Sequence, residues 1–287
     1  MAQNPIQWFP GHMAKTRRMM KECLGSVDIV LELLDSRIPY SSKNPEIREI
    51  VGDKPKLIVF TKSTLADINL TRRWQEYYES RGEKTVIIDA LTGYGLDKLS
   101  DAIREILKEK IQRYKDKGME GRRLKAMIVG IPNVGKSSLI NKLARGVKAK
   151  VENRPGVTLT KQWVSTDIGI DLLDMPGVLW PKFEERAVGE NLAITGAIRD
   201  KILDTEELAM IMCDRLRKSA KDALYSRYKL TESEADELDA YDLFCLIGKK
   251  RGFLVSGGEI NETRTAEMLL EEFRSAKIGK ISLEVPK

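Results

Sequence analysis

The sequence predicts an α/β fold: a doubly wound sheet followed by a small all-helical C-terminal domain. Three observations carry this expectation. Short apolar runs alternate with helical segments through roughly the first 177 residues. A glycine-rich loop joins one of these runs to a helix. From about residue 187 onward every periodic segment is helical.

The strands come first. Ile29-Val-Leu-Glu-Leu-Leu34, Leu57-Ile-Val-Phe60, Val86-Ile-Ile88, Ala126-Met-Ile-Val129 and Ile170-Asp-Leu-Leu173 are short, apolar and bounded by polar or turn residues. Runs of this kind suit a parallel sheet covered on both faces. Gln162–Thr166, a turn at Asp167-Ile-Gly169 and the following strand read as a hairpin, which adds one antiparallel strand at the edge. Helices are predicted over Leu70–Ser80 and Leu96–Tyr114, the latter with Leu99, Ile103, Ile106, Leu107 and Ile111 at helical spacing. Another follows the glycine-rich loop over Ser138–Ala144. Four more are predicted at Glu206–Ser219, Lys221–Tyr228, Ala240–Lys250 and Thr265–Ile278. The division is expected at 1–185, with a basic N-terminal tail, and 186–287.

Composition narrows the class. No apolar run among the 287 residues approaches the roughly 18 needed to span a bilayer, so no membrane partner is expected. Cys23, Cys213 and Cys245 lie far apart with no C-x-x-C pair. They suggest neither a metal site nor a disulfide framework, and point to a reducing, cytoplasmic compartment. Lys15, Arg17, Arg18 and Lys21 resemble a transit peptide in charge, but Trp8-Phe9-Pro10-Gly11 interrupts the amphipathic helix such a peptide needs. The net charge of +6 is uneven: residues 1–186 carry 33 Lys/Arg against 24 Asp/Glu, and residues 187–287 carry 16 against 19. A basic front part suits a polyanionic partner, although basic side chains also simply solvate helices.

The chemistry lies in Gly130-Ile-Pro-Asn-Val-Gly135-Lys136-Ser137, which fits G-x-x-x-x-G-K-[ST] between a strand and a helix. In such a loop, backbone N–H groups from Asn133, Val134, Gly135, Lys136, Ser137 and Ser138 turn toward phosphates, and the helix N-terminus adds positive potential. Lys136 is expected on the β- and γ-phosphates and the Ser137 hydroxyl on Mg²⁺. Further on, Asp174-Met-Pro-Gly177 fits D-x-x-G at a strand end, with Asp174 reaching Mg²⁺ through water and the Gly177 N–H meeting the γ-phosphate. Thr158, in Arg154-Pro-Gly-Val-Thr158, is the candidate to close over the metal.

Guanine is ordinarily read by N-K-x-D placed after these loops, and nothing of that form follows Gly177. The best match lies upstream, where a strand runs into Thr61-Lys62-Ser63-Thr64. The next strand leads into Asp89-Ala90-Leu91, a second base-side loop. Base loops therefore precede phosphate loops, the order of a circularly permuted P-loop GTPase-like sheet. The fourth base-loop position is Thr64 instead of the carboxylate that accepts two hydrogen bonds from guanine, which weakens discrimination. Asp67 is out of register as a substitute. Restoring Asn at 61 and Asp at 64 is expected to tighten GTP binding.

Nearly the whole chain resembles the circularly permuted ribosome-biogenesis GTPase A family of bacterial large-subunit assembly. The resemblance is carried by Ile6–Lys15, Asp35-Ser-Arg-Ile-Pro39 with Ser41 and Asn44-Pro45, Gly130–Asn141, Arg154–Thr158, Asp174–Phe183, Thr195–Ile198, Gly248–Gly252 and Lys277–Gly279. It implies GTP/GDP binding, a large ribosomal subunit precursor (ribosomal RNA and proteins) as partner, and release on hydrolysis. It implies that His12, the sole histidine, positions the attacking water, because Val178 stands where many GTPases place a glutamine. From its chemistry alone, a lone histidine near a terminus is more often a surface or capping residue. The resemblance also implies a K⁺ site with Asn133 as ligand; the alternative is a simple turn residue. Lys249-Lys250-Arg251 reads either as an RNA phosphate contact or as cations completing a helix end before Gly252. A nucleotide-bound RNA-binding factor with relaxed guanine specificity or little hydrolysis is the other function compatible with the altered base loop.

Overall fold

The computed structural model describes residues 12–144, 162–198 and 204–286, with the side chains of His12 and Met13 outside the description. Six strands form one sheet: β1 (Ile29–Asp35), β2 (Lys56–Thr61), β3 (Thr85–Ile87), β4 (Leu124–Gly130), β5 (Gln162–Ser165) and β6 (Ile170–Asp174). Their order is β3-β2-β1-β4-β6-β5. All neighbours are parallel except β5, which runs antiparallel to β6 at the edge. The predicted doubly wound sheet and its antiparallel edge are both present.

Alternation along the strands divides the core between two faces. Ile29, Leu31 and Leu33 of β1 join Leu57, Val59, Ala126, Ile128 and Leu172 on one side. Leu99 and Ile103 of α4 (Leu96–Ile106) and Leu139, Ile140 and Leu143 of α6 (Lys136–Leu143) cover that side. On the other side, Val30, Met127, Val129 and Leu173 meet α1 (His12–Cys23) and α2 (Pro45–Val51), while Ile58 and Phe60 meet Trp74 and Tyr78 of α3 (Ile68–Glu79). Mid-strand Glu32 is buried, and Lys43 and Lys56 each approach its carboxylate at 3.4 Å, the pairing a buried charge requires.

Chain order places the site. Successive strands run outward on one side of β1 and, from β4, on the other, so the topological switch lies between β1 and β4. The glycine-rich loop leaves the carboxyl end of β4 at that switch, where open α/β sheets bind ligands.

The helices depart from the sequence expectation at several points. The predicted Leu96–Tyr114 helix is broken at Leu107 into α4 and α5 (Lys108–Asp116). Leu107 is buried, and the break sets the Tyr114 hydroxyl 3.3 Å from Asp28. The short helix α2 carries an ordinary start signal, Asn44 accepting from the Glu46 N–H with Pro45 behind it. The last helix, α12, spans Glu262–Arg274, earlier than predicted, because Asn261 caps it through the Arg264 N–H.

The C-terminal helices build their own core from α8 (Thr205–Ser219), α9 (Lys221–Tyr228), the short α10 (Glu232–Ala235), α11 (Ala240–Lys250) and α12. The helix α7 (Arg186–Ile194) serves both cores. Val188 and Leu192 pack with the sheet, Ala193 and Ile194 with the helices. After α12 the chain returns to the sheet domain. Leu283 N–H donates to Arg37 O at 2.8 Å, the Trp74 indole N–H to Glu284 O at 3.2 Å, and Glu284 accepts from the Tyr40 N–H at 2.7 Å and from the Ser41 hydroxyl. Among the described residues no helix is long and apolar enough to cross a membrane.

Candidate functional site: a phosphate loop beside an altered base loop

The loop after β4 is shaped by its backbone. Gly135 sits at φ +107° as the N-cap of α6, a region closed to most side chains, and Asn133 holds the left-handed φ of +56°. This geometry turns the chain into α6 and aims its first N–H groups at the cradle. Lys136 opens α6, and its ammonium donates to Gly130 O at 3.1 Å and Ile131 O at 2.8 Å. Burial drags its pKa down to about 8, with Asp174 opposing the fall.

The D-x-x-G loop lies directly against this cradle. A Cβ on Gly177 would stand 2.8 Å from Pro132 Cα and 3.0 Å from Lys136 Nζ, so only glycine permits the approach. Val178 N–H donates to Gly130 O at 3.2 Å. Asp174 is buried, and burial raises its pKa to about 6 against the pull of Lys136. Among the described residues its Oδ1 has no hydrogen-bond partner. An orphaned carboxylate oxygen facing a buried cation is costly unless a ligand completes it. That donor set fits Mg²⁺, which the Ser137 hydroxyl and Asp174 would hold. Thr158 and the rest of Arg154–Thr158 lie outside the described residues.

The protonation state of Asp174 has a measurable consequence. The folded pKa lies above the ordinary 3.8, so the folded protein binds the proton more tightly, and stability falls as pH rises from about 4 to about 6. A metal requires the deprotonated form. Mg²⁺-dependent nucleotide affinity is therefore expected to drop below about pH 6, by up to about tenfold per unit. Titrations across pH 5–7 check this, and Asp174→Asn should flatten the profile.

The base loop is tied to the phosphate loop. The Thr61 hydroxyl lies 2.6 Å from Val134 O and 3.0 Å from Leu34 O. It bridges the ends of β1 and β2 to the cradle from a buried position. Lys62, at a left-handed φ of 55°, pairs with Asp35 Oδ2 at 3.0 Å. The Ser63 hydroxyl donates to Ile88 O at 3.1 Å. Thr64 donates to Asp89 Oδ2 at 2.6 Å, and half-buried Ala90 follows at the rim. Asp67 is the N-cap of α3, accepting from the Asn69 and Leu70 N–H groups, and takes no part.

Two contributors lacked a sequence signal for their role. Arg37 is fully buried and clasps Asp35 through both carboxylate oxygens, at 2.9 and 2.7 Å. Burial works to raise the Asp35 pKa, but Arg37 and Lys62 outweigh it and hold the carboxyl well below the usual range. Arg37 also donates to Arg274 O at 3.4 Å, and Arg274 donates to Ile194 O and Ala193 O at 2.8 and 2.9 Å. The Asn133 amide donates to Gly196 O at 2.7 Å. Base loop and phosphate loop are thus each hydrogen-bonded toward the segment that enters the helical region.

His12 opens α1, whose Met20 and Cys23 pack with Met175 of the D-x-x-G loop and with Val178 just after it. Arg17 of the same helix pairs with Glu46 at 3.0 Å. In the basic cluster, Lys249 and Lys250 are exposed in the last turn of α11. Lys250 pairs with Glu234 at 2.9 Å, and Arg251 pairs with Glu272 at 3.1 Å over the Tyr228 ring. Lys250 and Arg251 are thus both paired within the domain, and Lys249 is the exposed cation of the three with no ion pair among the described residues.

A phosphate cradle at the sheet's switch point, a D-x-x-G loop pressed on it, and base-side loops that precede both in the chain define a circularly permuted P-loop GTPase. A family profile described as "50S ribosome-binding GTPase" matches residues 125–240. Ribosome biogenesis GTPase A of Bacillus pumilus is 46% identical over 98% of this chain and 99% of its own length. That of Bacillus licheniformis is 47% identical over 98% of each chain. A GDP-bound structure of Thermotoga maritima YlqF aligns with a TM-score of 0.68 at 23% identity, over 94% of this chain and 99% of that one. The chain belongs to the ribosome biogenesis GTPase A family.

Proposed function

We propose that this GTPase binds a precursor of the large ribosomal subunit, through ribosomal RNA and proteins, in its GTP state and leaves after hydrolysis. The chief support is the path of the chain after Gly177, which runs within a few residues into α7, a helix shared by both cores. A γ-phosphate drawing on the Gly177 N–H acts on a segment fastened to the helical region, and so biases two arrangements of it. The division at 185/186 corresponds to a nucleotide domain and a ribosome-facing helical domain, with Lys249 and Lys250 on its RNA side. Mg²⁺ is held by Ser137, Thr158 and, through water, Asp174. Asn133 is the proposed K⁺ ligand and His12 the residue that orients the attacking water, acting in the cytoplasm. A cation held by these residues would neutralise developing phosphate charge. Lys136 and the loop N–H groups orient the β- and γ-phosphates, while buried Val178 leaves water positioning to another element. The altered base loop supports a second reading, a nucleotide-bound RNA-binding factor with relaxed guanine specificity.

Cosedimentation with purified large-subunit precursors separates the two. The first predicts binding with a non-hydrolysable GTP analogue at least about tenfold tighter than with GDP. In both states binding should weaken steeply with salt as RNA counterions are released. Equal binding in the two nucleotide states would remove release by hydrolysis from the account.

A further inference from the structure

The base loop has a threonine where a carboxylate ordinarily stands, and the neighbouring base-side loop opens on a carboxylate, Asp89. The fold brings the two together. Thr64 Oγ1 lies 2.6 Å from Asp89 Oδ2, and the Thr64 N–H points at the same oxygen from 3.4 Å. The other carboxylate oxygen is filled from within its own loop, by the Leu91 N–H at 2.9 Å and the Thr92 N–H at 3.0 Å. Burial acts to raise the pKa of Asp89, but the hydrogen bonds from Thr64, Thr92 and Leu91 outweigh it and keep the carboxyl ionised.

An ionised carboxylate has no hydrogen to give, so the hydroxyl between them must donate. A free threonine hydroxyl rotates to suit either a donor or an acceptor. This one is committed, and the lone pairs of Thr64 Oγ1 are what remain for a ligand. Exposure orders the pair in the same sense: Asp89 is buried at 2%, whereas Thr64 is half-buried at the rim.

We propose that Thr64 reads the guanine edge as an obligate acceptor, with Asp89 as the positioning residue that fixes its polarity from behind. The proposal rests on the assignment of residues 61–64 as the base loop. Guanine presents N1–H and N2–H donors on its pairing edge, and these meet the Thr64 lone pairs. Adenine presents the N1 lone pair at the same place, so acceptor faces acceptor and a buried polar contact is left unmade. The carboxylate–hydroxyl pair stands in reverse order, with the hydroxyl facing the base and the charge one layer back.

The same geometry corrects the expectation for restoring the base loop. Thr64→Asp alone, with or without Thr61→Asn, sets a second carboxylate against Asp89, and two such groups in contact cannot both ionise cheaply. Thr61→Asn also disturbs a buried hydroxyl that already bridges Val134 and Leu34. The restoring change is the exchange Thr64→Asp with Asp89→Ser.

The test is equilibrium binding of GTP, ATP and XTP to the full chain and to Thr64→Ser, Thr64→Val, Asp89→Asn, Thr64→Asp and the Thr64→Asp/Asp89→Ser exchange, with thermal melts as folding controls. Wild type and Thr64→Ser should prefer GTP over ATP by about tenfold or more, the scale of one gained and one frustrated hydrogen bond. Thr64→Val should lose that preference. Asp89→Asn frees the hydroxyl to donate, so the GTP/ATP ratio should fall about tenfold while ATP and XTP affinities hold or rise. The exchange should bind GTP at least as selectively as wild type, and Thr64→Asp alone should not. An unchanged GTP/ATP ratio in folded Asp89→Asn, with Thr64→Val losing it, would overturn the role of Asp89. Should Asp89→Asn not fold, an exchange variant no more selective than Thr64→Asp alone would overturn it equally. A GTP-selective wild type whose ratio survives every change at 64 and 89 would show instead that residues 61–64 do not face the base. A wild type with no preference would overturn the reading by Thr64 and leave the phosphate site standing.

Discussion

Lys136→Ala is expected to abolish tight nucleotide binding. The ammonium stands inside the phosphate cradle, held by Gly130 O and Ile131 O, and is buried there with a pKa drawn down to about 8. That burial is unfavourable until phosphate oxygens arrive. Nucleotide then supplies charge-assisted hydrogen bonds worth roughly 1.5–3 kcal/mol each. Two of them correspond to a loss of about 10²–10⁴ in affinity when the lysine is removed. The nucleotide-free protein should melt no lower than wild type, since a buried charge has been taken away. A titration with a fluorescent GTP analogue and thermal melts with and without nucleotide check both halves. Unchanged affinity would sink the phosphate-loop assignment.

How far the sequence reaches depends on which interaction writes the signal. The strands were legible because strands buried on both faces must be short apolar runs. The antiparallel edge was legible because the Asp167–Gly169 turn is too short for a crossover. The helix α7 was not legible, although it joins the two cores. Val188 to Ile194 are all buried, so no polar face produces a helical period. The break at Leu107 has neither glycine nor proline to announce it; Leu107 is buried there, and Tyr114 beyond it reaches Asp28. The start of α2 was written in Asn44-Pro45 and could have been found.

The site divides in the same manner. Phosphate binding demands particular backbone angles and close approaches, so Gly135 and Gly177 mark it in the chain. The Thr64–Asp89 contact arises where the parallel pair β2 and β3 brings two loop ends side by side; each residue was placed in a base-side loop by sequence, but nothing in the chain announces their pairing. Arg37 clasps Asp35 only two positions away, but its contact with Arg274 spans 237 positions and exists only through the fold.

The proposed function makes its largest kinetic demand on His12. Val178, after the D-x-x-G glycine, is buried in the cluster that seats α1 and offers no hydrogen bond to a water. His12 begins that helix, and general acid–base or orienting groups contribute about 10²–10⁴ in rate. The most direct measurement is GTP turnover by the wild type and by His12→Ala, with and without purified large ribosomal subunits, alongside GTP affinity. Subunits should raise wild-type turnover, and His12→Ala should lose about 10²–10⁴ of the stimulated rate while its GTP affinity stays within about twofold of wild type. A wild-type rate indifferent to the subunits, or a stimulated rate that His12→Ala lowers by less than about threefold, would contradict the account.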